Sequence, residues 1–354
     1  MHVQRVARSF CFLLGCLILS GCGDGAKAPP AAPAAARQVV LFSAHDDIFS
    51  RPVAEAFEKK TGIEVLLMTD VETAKTVGLV NRLIARKDHP EADVFWNNEI
   101  ANTFVLKEQG VLERYAPKAA AGLPAQFRDA DGWWTGFAAR ARVILYNKEL
   151  VPAAEAPRSI WDLALPRFKG RAVIARPLAG TTLTHAGALF SKLGPEKAKS
   201  YFQALAANQV KVAVGNAMAR NLVANGEAAV CLTDTDDANG AFIAGRPVEM
   251  VYPDQEGRDG EPALGALIIP NTVMLIKGAP HPETARQLIE YLLSPEVEAE
   301  LAKGDAAQMP VRPGVPPHGE RFRMETIKPM AVDWADVARQ FEAVKKFIVE
   351  ELRW

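Results

Sequence analysis

Short apolar runs alternate with amphipathic stretches along the chain. Residues 39–42 read Val-Val-Leu-Phe, a run of the length of a buried strand. Behind it Ser50 reads as a helix cap, with Pro52 in the first turn, Val53, Ala54 and Phe57 on one face, and Gly62 closing the helix. Residues 65–68 form the next strand, Val77, Val80, Leu83 and Ile84 recur at helical spacing, 93–96 is a third strand, and 100–109 is a helix that stops at Gly110. This alternation predicts an α/β lobe with a mostly parallel sheet. Strands over 134–138 and 143–146 lead out of it. A second alternation follows: strand 172–174, helices 182–193 and 195–207, strand 210–214, helix 218–224 ended by Asn225-Gly226, then strands 228–232 and 248–252. Strands 267–269 and 273–276, helices 283–293 and 295–303, and an amphipathic ending over 332–352 complete the pattern.

The N-terminal pattern is different. Arg5 and Arg8 precede an apolar run over residues 10–19, shorter than the roughly 20 residues a membrane span needs. Residues 1–21 therefore read as a secretory leader. The leader ends in Leu19-Ser20-Gly21-Cys22, which resembles a bacterial lipoprotein box. Cys22 is then the first mature residue and carries lipid. Residues 22–37 hold Pro29, Pro30 and Pro33 among alanines. Such a segment cannot bury a core and reads as a tether. The body from residue 38 to 354 exceeds one ordinary domain and predicts two lobes. Of the four cysteines, Cys11 and Cys16 leave with the leader and Cys22 is lipidated, so Cys231 has no disulfide partner. Its place between Val230 and Leu232 suits a buried structural thiol. The formal charge is −1, with no basic block, which argues against nucleic acid as a partner. There is no internal repeat and no second apolar span.

Polar clusters follow the apolar runs. They are residues 43–47, with His45 and Asp46, then 97–99, with Asn98 and Glu99, then 179–182, with Gly180, Thr181 and Thr182, and 233–237, with Asp234, Asp236 and Asp237. In open α/β sheets ligands bind at the carboxyl ends of strands, so four such clusters predict a shared cleft. The last is the most unusual. Three carboxylates within four positions repel one another unless water or a positive partner relieves them. A solvated acidic turn ahead of Gly240 is the plain alternative.

Five segments carry a resemblance: "AFEKKTGIEV", "ADVFWNNE", "GFAARARVILYN", "NGEAAVCLTDTDD" and "LIKGAPHPETARQLIEYLLSPEVEAELA". They resemble the extracellular solute-binding proteins of bacterial ABC importers, in particular the branch with ferric-ion-binding proteins. The resemblance implies a two-lobed periplasmic-binding-protein-like α/β fold, each lobe a mostly parallel sheet flanked by helices, with the ligand between lobes. The first lobe would comprise residues 38–137 with 266–303, and the second 138–265 with 304–354. It implies hinge closure on the ligand and delivery to a permease and ATPase. The protein would be an exported monomer, lipid-anchored and facing the periplasm or cell exterior. Ferric members place a histidine past the first strand, where His45 stands. They place a glutamate after "ADVF", where Glu99 comes one position late. Two adjacent tyrosines bind their iron, and Asp236 and Asp237 stand in those places. The small residues that hold a synergistic anion correspond to Ala179-Gly180-Thr181 and Asn216.

Two ligand chemistries follow. In the first, His45, Glu99, Asp236 and Asp237 bind ferric iron or a metal–anion complex as cargo, an oxygen-rich set suited to a hard cation. No resident cofactor is implied. In the second, backbone N–H groups at Gly180–Thr182 hold an anionic head at a helix N-terminus, Arg140 or Arg142 assists, the aspartates take an amine, and Trp96 or Phe95 contacts the body between. An aminophosphonate is the natural example. His185, inside its helix, is either a core residue or a ligand contact. G-x-S-x-G, H-E-x-x-H and the P-loop pattern are absent from the sequence. The expectation is a binder rather than an enzyme. A metal-dependent hydrolase using His45, Asp46 and the aspartates is the remote alternative.

Overall fold

The computed structural model describes residues 37–69, 75–258 and 260–354. The leader, Cys22 and nearly all of the tether lie outside these residues. The elements run in the order β1 (Gln38–Ser43), α1 (Asp47–Thr61), β2 (Glu64–Thr69), α2 (Lys75–Ala85), β3 (Val94–Asn97), α3 (Ile100–Glu108), β4 (Leu112–Glu113) and β5 (Thr135–Asn147). They continue with β6 (Ala172–Ala175), α4 (Gly180–Leu193), α5 (Pro195–Ala207), β7 (Lys211–Ala213), α6 (Asn216–Ala224), β8 (Val230–Asp234), α7 (Thr235–Ile243) and β9 (Val248–Val251). The last elements are β10 (Ile268–Ile276), α8 (Pro282–Leu292), α9 (Pro295–Lys303) and α10 (Trp334–Lys346), followed by a π-helical turn over Phe347–Glu351.

The strands follow the order β2-β1-β3-β10-β5-β8-β6-β7, with β4 added on β10 and β9 on β5. Two parallel groups, β2-β1-β3 and β8-β6-β7, form the two ends. The antiparallel pairings all involve the long strands β5 and β10. β5 serves both ends: residues 135–141 pair with β10, while 142–147 pair with β8 and β9. The changeover falls between Ala141 and Arg142. Apolar residues cover both faces, and successive residues divide between two core layers. Val94 and Trp96 join one layer and Phe95 the other; Val143 and Leu145 join one, Ile144 and Tyr146 the other. A strand buried on both faces needs apolar side chains at every position, hence the continuous runs in the sequence.

The sequence splits β5 and β10 into two strands each, but both are continuous. In β10 the expected break is at Pro270, which is accommodated where the register shifts between Pro270 and Asn271; a bulge tolerates the missing N–H. In β5 the irregular residue is Ala138, at φ 38°. Its two peptide groups are fixed by buried side chains. The Glu298 carboxylate accepts from Ala138 N at 2.7 Å, as well as from Val311 N and Arg312 N, and Asn271 Nδ2 donates to Ala138 O at 2.8 Å. Another expectation fails at Ser50. α1 starts at Asp47, and the Ser50 hydroxyl donates back to Asp46 O from inside the helix. Helix α10 packs on both α3 and α4. Gly187 permits the close approach to α4, since a Cβ there would sit 2.9 Å from Val337 O.

Candidate functional site

β7, β6 and β8 are parallel neighbours, and each feeds a helix: α6, α4 and α7. The three helix N-termini therefore gather at one edge of the sheet. Their N-cap residues are Gly215, Ala179 and Asp234, and none supplies a side-chain cap. The first N–H groups of a helix have no acceptor within it. Three uncapped N-termini at one edge thus make a field that favours negative charge.

Asp236 and Asp237 lie in the first turn of α7. The acidic turn expected as the plain alternative is in fact a helix start. Thr, Asp, Asn and Gly are weak helix formers, which hid α7 in the sequence, but acids in the first turn suit the helix dipole. Oxygens of Asp234, Asp236 and Asp237 all lie within 4.8 Å of one another.

The positive partner comes from across the sheet. Antiparallel pairing sets Arg142 opposite Asp234. Arg142 is fully buried, and its Nη1 donates to Asp234 Oδ1 at 2.7 Å and to the side chains of Thr181 and Asn216 at 3.2 Å. Thr181 Oγ1 donates to Asp234 Oδ2 at 2.6 Å, and Asn216 Nδ2 to the same oxygen at 3.0 Å. Thr182 Oγ1 donates to Asn216 Oδ1 at 3.1 Å. The network thus joins the starts of all three helices. Arg140, two positions earlier on the same strand face, donates from Nη1 to Asp236 Oδ2 at 3.1 Å and from Nη2 to Asn98 O at 3.0 Å. Asp237 accepts from the Thr233 hydroxyl at 2.9 Å. Gly180 opens α4 beside Thr181 and is half-buried.

Charge divides unevenly. Burial opposes ionisation of Asp234, but Arg142 and Arg140 outweigh it and hold the carboxyl below its usual range. Burial raises Asp236 despite Arg140. Burial, reinforced by Asp236 and Asp234, pushes Asp237 up to about 7. Arg140 is raised: burial works against its charge, and Asp236 and Asp234 prevail. Two guanidiniums are bonded to Asp234 and Asp236, so Asp237 is left with the Thr233 hydroxyl and no bonded cation among the described residues. Arg220, which the sequence reading passed over, also acts on Asp237. It stands four residues after Asn216 on α6, a spacing that places the two on one helix face.

The candidates from the first part of the chain reach the aspartates through Arg140, which bonds both Asn98 O and Asp236 and also acts on Glu99. His45 is buried, with its ring 5.3 Å from both Phe49 and Trp96. Asp46 precedes α1, with its carbonyl accepting from Ser50 N. Glu99 is fully buried and caps α3, accepting from Ala101 N at 2.8 Å, Asn102 N at 3.2 Å and Asn102 Nδ2 at 2.5 Å. Neither His45 nor Glu99 belongs to the carboxylate group that could hold an ion among the described residues. Asn98 contributes its carbonyl to Arg140. Trp96 and Phe95 are fully buried, and the Trp96 ring lies against His45 and Phe137. His185 is buried on α4 and lines a small internal pocket with Thr182, Leu189 and Tyr201; burial and Arg142 hold it down to about 3. His281, the residue before α8, is tied to Asp93 by its backbone N–H and by Nδ1 at 2.9 Å. Cys231 is buried as expected, and burial raises its thiol.

Residues 90–339 match the family described as "Bacterial extracellular solute-binding protein". The chain belongs to this family. It is 28% identical over 324 residues to Iron uptake protein A1 of Synechocystis sp., covering 88% of this chain and 86% of the relative. It is 30% identical over 302 residues to a periplasmic protein of Salmonella paratyphi A named for 2-aminoethylphosphonate binding, covering 82% and 83%. In fold it is similar to iron-bound HitA from Pseudomonas aeruginosa, with a TM-score of 0.78, 22% identity, and coverage of 88% and 99%. Members of this family are solute-binding proteins, and the two-lobed α/β architecture is theirs. No helix among the described residues is long and apolar enough to cross a membrane.

Proposed function

We propose that the chain is the solute-binding component of an ABC import system and that its solute is a small zwitterionic organic anion of the aminophosphonate class. One observation carries this reading. Asp236 and Asp237 sit beside three uncapped helix N-termini, so an anion-accepting edge adjoins a carboxylate pair. The anionic head would lie at Gly180–Thr182 and Asn216, and the amine at Asp236 and Asp237. The 2-aminoethylphosphonate-binding relative supports the same chemistry. Titration calorimetry with 2-aminoethylphosphonate tests it. The intact protein should bind, and Asp236→Asn should cost about 2–5 kcal/mol, the usual effect of breaking a buried charge pair. Absence of binding, or an unaffected variant, would refute the reading.

Ferric iron as cargo is the second reading. It is favoured by the three aspartate oxygens within 4.8 Å and by the iron-binding relatives. A ferric citrate titration separates the two. In either case the lobes, residues 38–137 with 266–303 and 138–265 with 304–354, would close by bending at β5 and β10. Lipid on Cys22 would hold the protein at the membrane; Cys22→Ser should release it in soluble form.

A further inference from the structure

Three carboxylates at this spacing are an ordinary setting for a hard multivalent cation. Here a guanidinium competes for the place. Arg140 Nη1 is 3.1 Å from Asp236 Oδ2, and its Nε is 3.8 Å from Asp234 Oδ2. Its remaining terminal nitrogen is tied to Asn98 O at 3.0 Å, so the group is held from the opposite end of the sheet. The Nε atoms of Arg140 and Arg142 are buried without a hydrogen bond, which makes the aspartates the main compensation for both charges. Arg142 is committed to Asp234, Thr181 and Asn216. Arg140 is therefore the side chain that determines how much positive charge the cluster can still accept.

We propose that Arg140 is the specificity-determining residue of this site: it occupies the cation position between Asp234 and Asp236, so that the cluster takes one ammonium group from a solute and excludes free metal ions. The inference rests on the zwitterion reading above. With both arginines present and the three carboxylates ionised, which for Asp237 means above about pH 7, the five groups carry one net negative charge, which a single ammonium neutralises. A trivalent ion would instead bring the buried cluster to two net positive charges. Without Arg140 the net charge is two negative, and an open oxygen-lined position lies among three aspartates.

The test uses terbium(III) alone, followed by its sensitised luminescence, on the full mature chain. The wild type should show no saturable terbium binding. Arg140→Gln keeps an amide donor toward Asn98 O and removes the charge. It should bind terbium at least about 100-fold more tightly than the wild type, the size expected when a buried charge loses its partner. Adding Asp236→Asn to that variant should abolish the gain. Arg140→Met fills a similar volume and replaces the glutamine variant if that variant does not fold. Wild-type binding as tight as that of the variants, or variants that fold and gain nothing, would overturn the proposal. Titration of the wild type with 2-aminoethylphosphonate runs separately: its failure would remove the zwitterion reading, while the terbium comparison would still decide what Arg140 does.

Discussion

Asp237 has one hydroxyl partner and two carboxylate neighbours, and this makes its charge sensitive to pH near neutrality. Its ordinary value is 3.8, and in the fold it titrates near 7. Between those values the folded chain holds a proton that the unfolded chain has released. Its contribution to stability is therefore complete below 3.8 and is lost as pH rises through 7. Asp237→Asn, which cannot ionise, should show a melting-temperature advantage over the wild type that widens from about pH 4 to pH 7 and then stays constant. Parallel melting profiles across that range would show that Asp237 is ionised throughout. His185 works in the opposite sense: held near 3 against an ordinary 6.5, it contributes stability above 6.5 that is lost as pH falls toward 3. The location of the acidic cluster was legible, because a buried run ends abruptly in three aspartates. Its partner was not. Arg142 lies 92 residues upstream of Asp234, and only the strand register brings them together.

At the scale of elements, the start of α3 is held by the Glu99 carboxylate as its N-cap. Glu99 accepts three hydrogen bonds from its own helix. Glu99→Ala should lower stability by about 1–2 kcal/mol, as loss of an N-cap does, and leave solute affinity unchanged. Urea unfolding together with calorimetry checks both halves of this statement. A loss of affinity at unchanged stability would instead place Glu99 on the solute. A cap could have been read in the sequence, since Glu99 immediately precedes the helical run at Ile100. Most strands and helices were legible from periodicity. The exceptions share a cause: Pro270, Ala138 and the Asp-Asn-Gly composition of α7 are locally unfavourable, and tertiary partners such as Glu298 and Asn271 hold the chain where propensity would not.

At the scale of the whole molecule, the two alternations read in sequence are the two parallel ends of one strand order, but the strand that joins them comes late. β10 lies between β3 and β5. A chain ending at residue 265 lacks it, so β3 and β5 have no common neighbour. Residues 37–265 alone should show no cooperative melting transition and little near-ultraviolet dichroism; a sharp transition would mean that the ends fold independently. The order of the strands also sets a clock. At about 5–20 residues per second, a ribosome that has completed Asn97 needs roughly 9 to 34 seconds to reach Ile268. For that interval β3 presents an unpaired edge, the kind of surface that draws chaperones or aggregates. The same arrangement keeps the nascent chain from locking early, and so leaves it extended enough to be threaded through a narrow channel before it folds.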